Sequence, residues 1–286
     1  MSAGQEVSER AGAIALPVGT TLAPQTVRVT RAWLERFARG MGVSPDVYTL
    51  APGRVSPLLL CYEPGYLPAL AAQRERPGRA TLAISIEWQG HASIGLDETI
   101  TIESAVTGRW VRRGREYVQV RLAVLGPDGG RACTFDYVEA WSPADRGLPE
   151  REGASGGPPP ANDYAGAPAW HTARLFTAGM LTDFARDDPN IHNDAAIARS
   201  FGFDAPVLAG VQEFMLHAEL CAQHLGRDFL AKGTLSTRFL RTVLAGANLQ
   251  AQAFPAPMGA DGRPCWALRC LDEHDGSITA VGQASM

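Results

Sequence analysis

Apolar positions recur along this chain with two periods, and the period changes at matching places in the two halves. Alternation of apolar and polar residues predicts half-buried strands at Thr99–Val106, Tyr117–Leu125 and Ala132–Trp141, with Asp128-Gly129-Gly130 as a hairpin turn. The second half repeats this at Leu235–Phe239, Asn248–Phe254, Trp266–Leu271 and Ser277–Ala284, with Asp275-Gly276 as its turn. Ahead of each set of strands the period is helical. RAWLERFARGMG and RLFTAGMLTDFAR read as helices, each followed by a more apolar run. The strongest helical signal is Val211–Leu225, where Val211, Phe214, Met215, Ala218, Cys221, Ala222 and Leu225 form one stripe and Gly226 supplies the stop. Leu216 and Leu220 lie off that stripe, so most of the circumference needs covering. An antiparallel sheet wrapped around the helix would cover it.

The halves share an order of features. Phe37-Ala38-Arg39 recurs as Phe184-Ala185-Arg186, Pro57 as Pro206, Trp88…Gly95 as Phe239…Gly246, and Asp128-Gly129 as Asp275-Gly276, at offsets of 147, 149, 151 and 147. Four matches in one order at a nearly constant offset predict a duplication. Ser142–Ala169, rich in Gly and Pro, reads as a linker. The expected division is residues 1–141, a linker over 142–169, and residues 170–286.

Composition removes several function classes. The net charge of −4, without a basic block, argues against a nucleic-acid partner. No apolar run is long enough to span a membrane, and the polar first residues carry no signal-peptide core. The five cysteines are scattered without a CxxC pair, which fits reduced thiols and a cytoplasmic location. Lys232 is the only lysine; the excess of Arg reads as base composition rather than as selection for phosphate contacts. Glu213 and His217 stand four apart, as metal ligands do, but no third ligand has suitable spacing. Ser200 and Ser236 lack a nucleophile-elbow context, and the GASGG stretch lacks the Lys-Ser/Thr of a phosphate loop.

The densest polar cluster is the segment from Asp183 to Asp194, DFARDDPNIHND, whose Asp, Asn and Pro oppose helix continuation and make it a loop. Its plain reading is a solvated turn plus an N-cap for the next helix. The same residues resemble the signature of MaoC-like (R)-specific enoyl-CoA hydratases: Ser-Gly-Asp, any residue, Asn-Pro, an aliphatic residue, His. Asp187, Ile191 and His192 stand at that spacing, followed by Ala195–Ala198, Gly202-Phe203 and Gly210, and the run from Phe239 to Gly246 resembles a later strand and turn. Ala185-Arg186 replaces Ser-Gly, while Pro189 and Asn190 stand where Asn and Pro are usual. The resemblance covers about Leu175–Met286 well, and the first half resembles an inactive repeat of the same family.

The resemblance implies an α+β double hotdog and a hydro-lyase that interconverts 3-hydroxyacyl and trans-2-enoyl thioesters of coenzyme A or an acyl carrier protein. It implies no metal and no organic cofactor. Asp187 and His192 would hold one water between them as acid and base, and the Gly210 N–H, at the head of the apolar helix, would face the developing oxyanion. Asn190 would replace the missing polar contact at Pro189. Arg238 and Arg241 are candidates for carrier phosphates, against a plainer reading as surface arginines. Offset by 147, Asp187 and His192 fall on Gly40 and Pro45, so the first half keeps neither residue; it also carries Pro64 and Pro68 in its apolar run. It reads as a substrate cradle. Two rivals stay open: an oxa-Michael cyclase or isomerase using the same Asp/His pair, and a non-catalytic acyl-binding subunit. A homodimer is compatible with all three.

Overall fold

All but the last of the alternating segments become strands longer than the pattern predicts, because pairing carries the ladders past the last clean alternation. The computed structural model describes residues 17–62, 80–142, 164, 166–185, 189–259 and 262–286. The first half runs β1 (Gln25–Arg28), α1 (Arg31–Met41), β2 (Thr49–Ala51), β3 (Arg54–Val55), β4 (Ala80–Gly90), β5 (Ile94–Gly95), β6 (Thr99–Arg112), β7 (Arg115–Leu125) and β8 (Arg131–Ser142). The second runs β9 (Trp170–Leu175), α2 (Ala178–Phe184), α3 (Ala195–Ser200), α4 (Gly210–Leu225), α5 (Phe229–Lys232), β10 (Thr234–Phe239), β11 (Asn248–Ala256), β12 (Cys265–Asp272) and β13 (Ile278–Ser285).

Two expectations change. RLFTAGMLTDFAR is not one helix: Arg174 and Leu175 end β9, which pairs with β11, and Thr177 caps α2 by accepting from the Met180 N–H at 3.3 Å. In the first half, the described part of the apolar run, Pro57–Tyr62, is a 3-10 helix with Leu58–Cys61 buried. Pro64 and Pro68, and most of the expected linker, lie outside the described residues.

The long strands form one ten-stranded sheet in the order β1-β6-β7-β8-β4-β10-β13-β12-β11-β9. Read inward from either edge, each half contributes its first, third, fourth, fifth and second long strand, so one topology occurs twice. The halves join where β4 pairs antiparallel with β10. There Ile86 faces Thr237, which lies 151 residues on, the offset that relates Trp88 to Phe239. Equivalent residues that face each other mark a pseudo-two-fold axis. The helix layer shows the same relation. Arg36 Nε donates to the carbonyl of Asp183, 147 residues on, and the rings of Phe37 and Phe184 stand 5.1 Å apart.

α4 is buried without interruption from Val211 to Cys221, and its side chains belong to a single apolar core shared by both halves. Residues off the predicted stripe, Leu216 and Leu220, are as buried as those on it. Where α1 crosses α2 the backbones are close. A Cβ at Gly40 would lie 2.6–2.8 Å from the Cβ, Cα and N of Phe184. Gly40→Ala is therefore expected to cost about 1–3 kcal/mol through forced separation of the helices. Gly179→Ala, in α2 with only the Thr177 hydroxyl near at 3.8 Å, should leave stability unchanged or raise it. Urea unfolding midpoints of the two variants check this.

Candidate active site

The polar loop resumes, after Arg186–Asp188, which lie outside the described residues, at an exposed Pro189. Its asparagines knit it together. The Asn190 N–H donates to Asn193 Oδ1 at 2.8 Å, and Asn190 Oδ1 accepts from the His192 N–H at 2.8 Å. The cap that the plain reading demanded is Asp194, whose carboxylate accepts from the N–H groups of Ala196 and Ile197 at 2.7 and 3.0 Å. The loop thus contains an N-cap, and His192 has no part in it.

His192 is half-buried, with Nδ1 2.7 Å from the carbonyl oxygen of Val207. A carbonyl only accepts, so Nδ1 carries the hydrogen and the neutral ring has its lone pair on Nε2. Val207 is itself fixed, its N–H donating to the Ile191 carbonyl at 2.9 Å. Three residues further on, Gly210 opens α4, where first-turn N–H groups have no helical acceptor and the dipole favours negative charge. The Val207–Gly210 segment therefore links His192 to the head of the buried helix. Close approach of a ligand is not the only reason for a glycine here: a Cβ would stand 3.0 Å from the ring of Phe239. The helix head is also tied to the first half. Gln212 Oε1 accepts from the Ala209 N–H at 3.2 Å, and Gln212 Nε2 donates to the Gly40 carbonyl at 2.9 Å.

Sequence reasoning missed Tyr62. Its ring lies 4.7 Å from that of Phe184 and meets His192 edge-on at 6.4 Å with an interplanar angle of 83°. The first-half 3-10 helix thus carries an aromatic side chain to the candidate histidine. Its only sequence signal was its place shortly after Pro57, the counterpart of Pro206. No hydrogen bond or ion pair joins Arg238 or Arg241 to Asn190, His192 or Gly210 among the described residues. Arg238 alternates with the buried Thr237 on β10 and so lies on the opposite face of the strand, while Arg241 pairs with Asp275 at 3.5 Å on the surface.

Glu213 and His217 point into the core instead. His217 Nδ1 lies 3.0 Å from Thr237 Oγ1, and Nε2 lies 3.3 Å from Cys270 Sγ. Among the described residues no group of three His, Cys, Asp or Glu side chains could hold a metal ion. Burial raises the Glu213 carboxyl to about 7, partly offset by the Thr279 hydroxyl, and lowers His217 to about 4. Between its ordinary value of 4.5 and about 7, Glu213 binds more protons folded than unfolded, so stability falls as pH rises through that window. His217 binds fewer between about 4 and 6.5, so its contribution rises with pH there and opposes the Glu213 slope. Glu213→Gln should therefore stabilise the protein at pH near 8, by up to about 3 kcal/mol, with little effect near pH 4.5. Denaturant titrations across that pH range test it.

The sequence matches no protein-family model and no curated protein. The fold does have relatives. A MaoC-like dehydratase from Phytophthora capsici superposes with a TM-score of 0.72 at 17% identity, over 94% of this chain and 96% of that one. The peroxisomal multifunctional enzyme type 2 of Drosophila melanogaster gives 0.64 at 14% identity, over 93% of this chain and 48% of that one. An acyl-ACP thioesterase from Bacteroides thetaiotaomicron gives 0.54 at 10% identity, over 92% and 96%. Proteins named as dehydratases and as a thioesterase thus share one architecture, and the chemistry has to be argued from the site. The protein has the α+β double-hotdog fold on which MaoC-like dehydratases are built.

Proposed function

We propose that this protein is a hydro-lyase that adds water to trans-2-enoyl thioesters, or removes it from 3-hydroxyacyl thioesters, of coenzyme A or an acyl carrier protein. The observation that carries this reading is the hydrogen bond from His192 Nδ1 to the Val207 carbonyl. It leaves the basic lone pair on Nε2 of a ring anchored to the Val207–Gly210 segment, which runs straight into the head of α4. Asp187, by its spacing from His192, is the carboxylate partner. Together the two bind one water, deprotonate it for attack on C3 and return a proton to C2. The Gly210 N–H takes the negative charge that develops on the thioester oxygen. The dehydratases of like fold support this choice of chemistry.

Pro189 favours a specialised substrate within that reading. Asn190, the residue expected to make good the lost polar contact, uses its Oδ1 on the His192 N–H. A bulky substrate, or one that closes a ring by oxa-Michael addition, fits such a loop better than a short unbranched enoyl chain.

Loss of enoyl-thioester absorbance without release of free thiol is the expected activity. Thiol release would mark a thioesterase, and no turnover on any enoyl or 3-hydroxyacyl thioester would leave an acyl-binding subunit. Asp187→Asn and His192→Ala should each lower kcat by about 10²–10⁴ with unchanged circular dichroism; a variant that keeps wild-type turnover overturns the assignment. On crotonyl-CoA, kcat/KM is expected below about 10⁶ M⁻¹s⁻¹, and higher values on branched or cyclising substrates.

A further inference from the structure

The helix that leads into the candidate catalytic loop does not finish itself. α2 has seven residues, too few to be stable alone. It ends at Ala185 in extended geometry (φ −66°, ψ 165°), with no glycine cap and no basic residue in its last turn. Its final carbonyls would be left without partners by the helix. Two carbonyls at this end, those of Asp183 and Ala185, are bonded by the other half of the chain. Arg36, half-buried on α1, donates from Nε to the Asp183 carbonyl at 3.0 Å and from its Nη2 to the Ala185 carbonyl. A guanidinium suits this place: it is always charged, it faces the negative end of the helix, and its planar fork holds two acceptors at once. The contact is backed by packing, since Phe184 between those carbonyls lies against Gly40, Phe37 and Tyr62. On its far side the loop is held by Asn190, Asn193 and Val207.

We infer that Arg36 is a positioning residue of the active site, supplied by the half that lacks the catalytic pair. It fixes the end of α2, and with it the Phe184 ring against Tyr62, whose ring meets His192, and so sets how the loop that carries His192 is held. The inference rests on the hydro-lyase reading. Neighbouring Arg39 meets the Asp183 side chain at 3.6 Å with both groups exposed, and serves as the control on the same helix.

The test compares Arg36→Ala, Arg36→Lys and Arg39→Gln in the full-length protein. Arg36→Ala should lower kcat by about 10–100-fold, the scale of a small misplacement, with KM little changed and the acid limb of the pH profile displaced. Added guanidinium ion, far below denaturing concentrations, should restore part of kcat. Arg36→Lys should recover only part, since an ammonium is a point charge and not a fork. Arg39→Gln should behave as wild type. If Arg36→Ala keeps wild-type kcat and pH limb, the inference fails; if that variant does not fold, the same result in Arg36→Lys decides it. Titration of the His192 ring by NMR gives a readout free of activity. A shift in the Arg36 variant but not in Arg39→Gln supports the inference, and no shift overturns it. Should the wild-type protein turn over no enoyl thioester, the hydro-lyase reading fails separately, and the His192 titration still decides the role of Arg36.

Discussion

The rest of the structure depends on burying α4 on every side. A helix with one apolar stripe can lie on a sheet; a helix buried continuously from Val211 to Cys221 has to be enclosed. The strands of the second half cover one side, and the first half supplies the remainder. Enclosure also obliges each polar group on the helix to find a partner, since an unmatched buried polar group costs about 1–3 kcal/mol. Gln212 bonds to Gly40 and Ala209. Glu219 accepts from the Tyr48 hydroxyl and pairs with Arg174 at 2.7 Å. His217 lies between Thr237 and Cys270. Glu213 Oε1 alone of these has no hydrogen-bond partner, and burial pushes its carboxyl toward the neutral form.

The frame is symmetric and the candidate site is not. Each half lays its strands down in one order, and the halves meet through equivalent residues at Ile86 with Thr237 and at Arg36 with Asp183. The loop after the first helix has diverged completely. In the second half it carries His192. In the first half, Gly42 ends α1 in the left-handed region (φ 66°), and Pro45 opens a 3-10 helix that carries Tyr48 to Glu219. Gly40, at the position that would match Asp187, is where the helices approach most closely. Residues that would act on substrate in one repeat serve packing in the other. Arg36, Gln212 and Tyr62 then tie the first repeat to the second.

Much of this was legible in the sequence, where the cause is local. Alternation marked β6, β7 and β8 because a strand with one buried face must alternate. Period 3.6 and a terminal glycine marked α4. Constant offsets showed the duplication. A crowd of Asp, Asn and His between helical runs marked the loop, and the resemblance singled out Asp187 and His192 within it and Gly210 at the head of α4. The split of RLFTAGMLTDFAR was missed because the pairing of β9 with β11 overrides helical propensity at Arg174 and Leu175.

The sequence by itself determined the strands β6–β8 and β10–β13 and the helices α1 and α4, which helix must be enclosed, and which short loop holds the titratable residues. Those properties follow from the order of side chains within a few residues of one another. Tertiary structure alone decided that β4 meets β10, that Glu213 and His217 point into the core, and that Tyr62 and Arg36 reach the second half. It also decided which nitrogen of His192 carries the proton. Each of these depends on a partner distant in sequence, 147 residues away for Arg36 and Asp183 and 15 for His192 and Val207. No local pattern encodes such a partner, because it is brought within bonding distance only by the tertiary fold around α4.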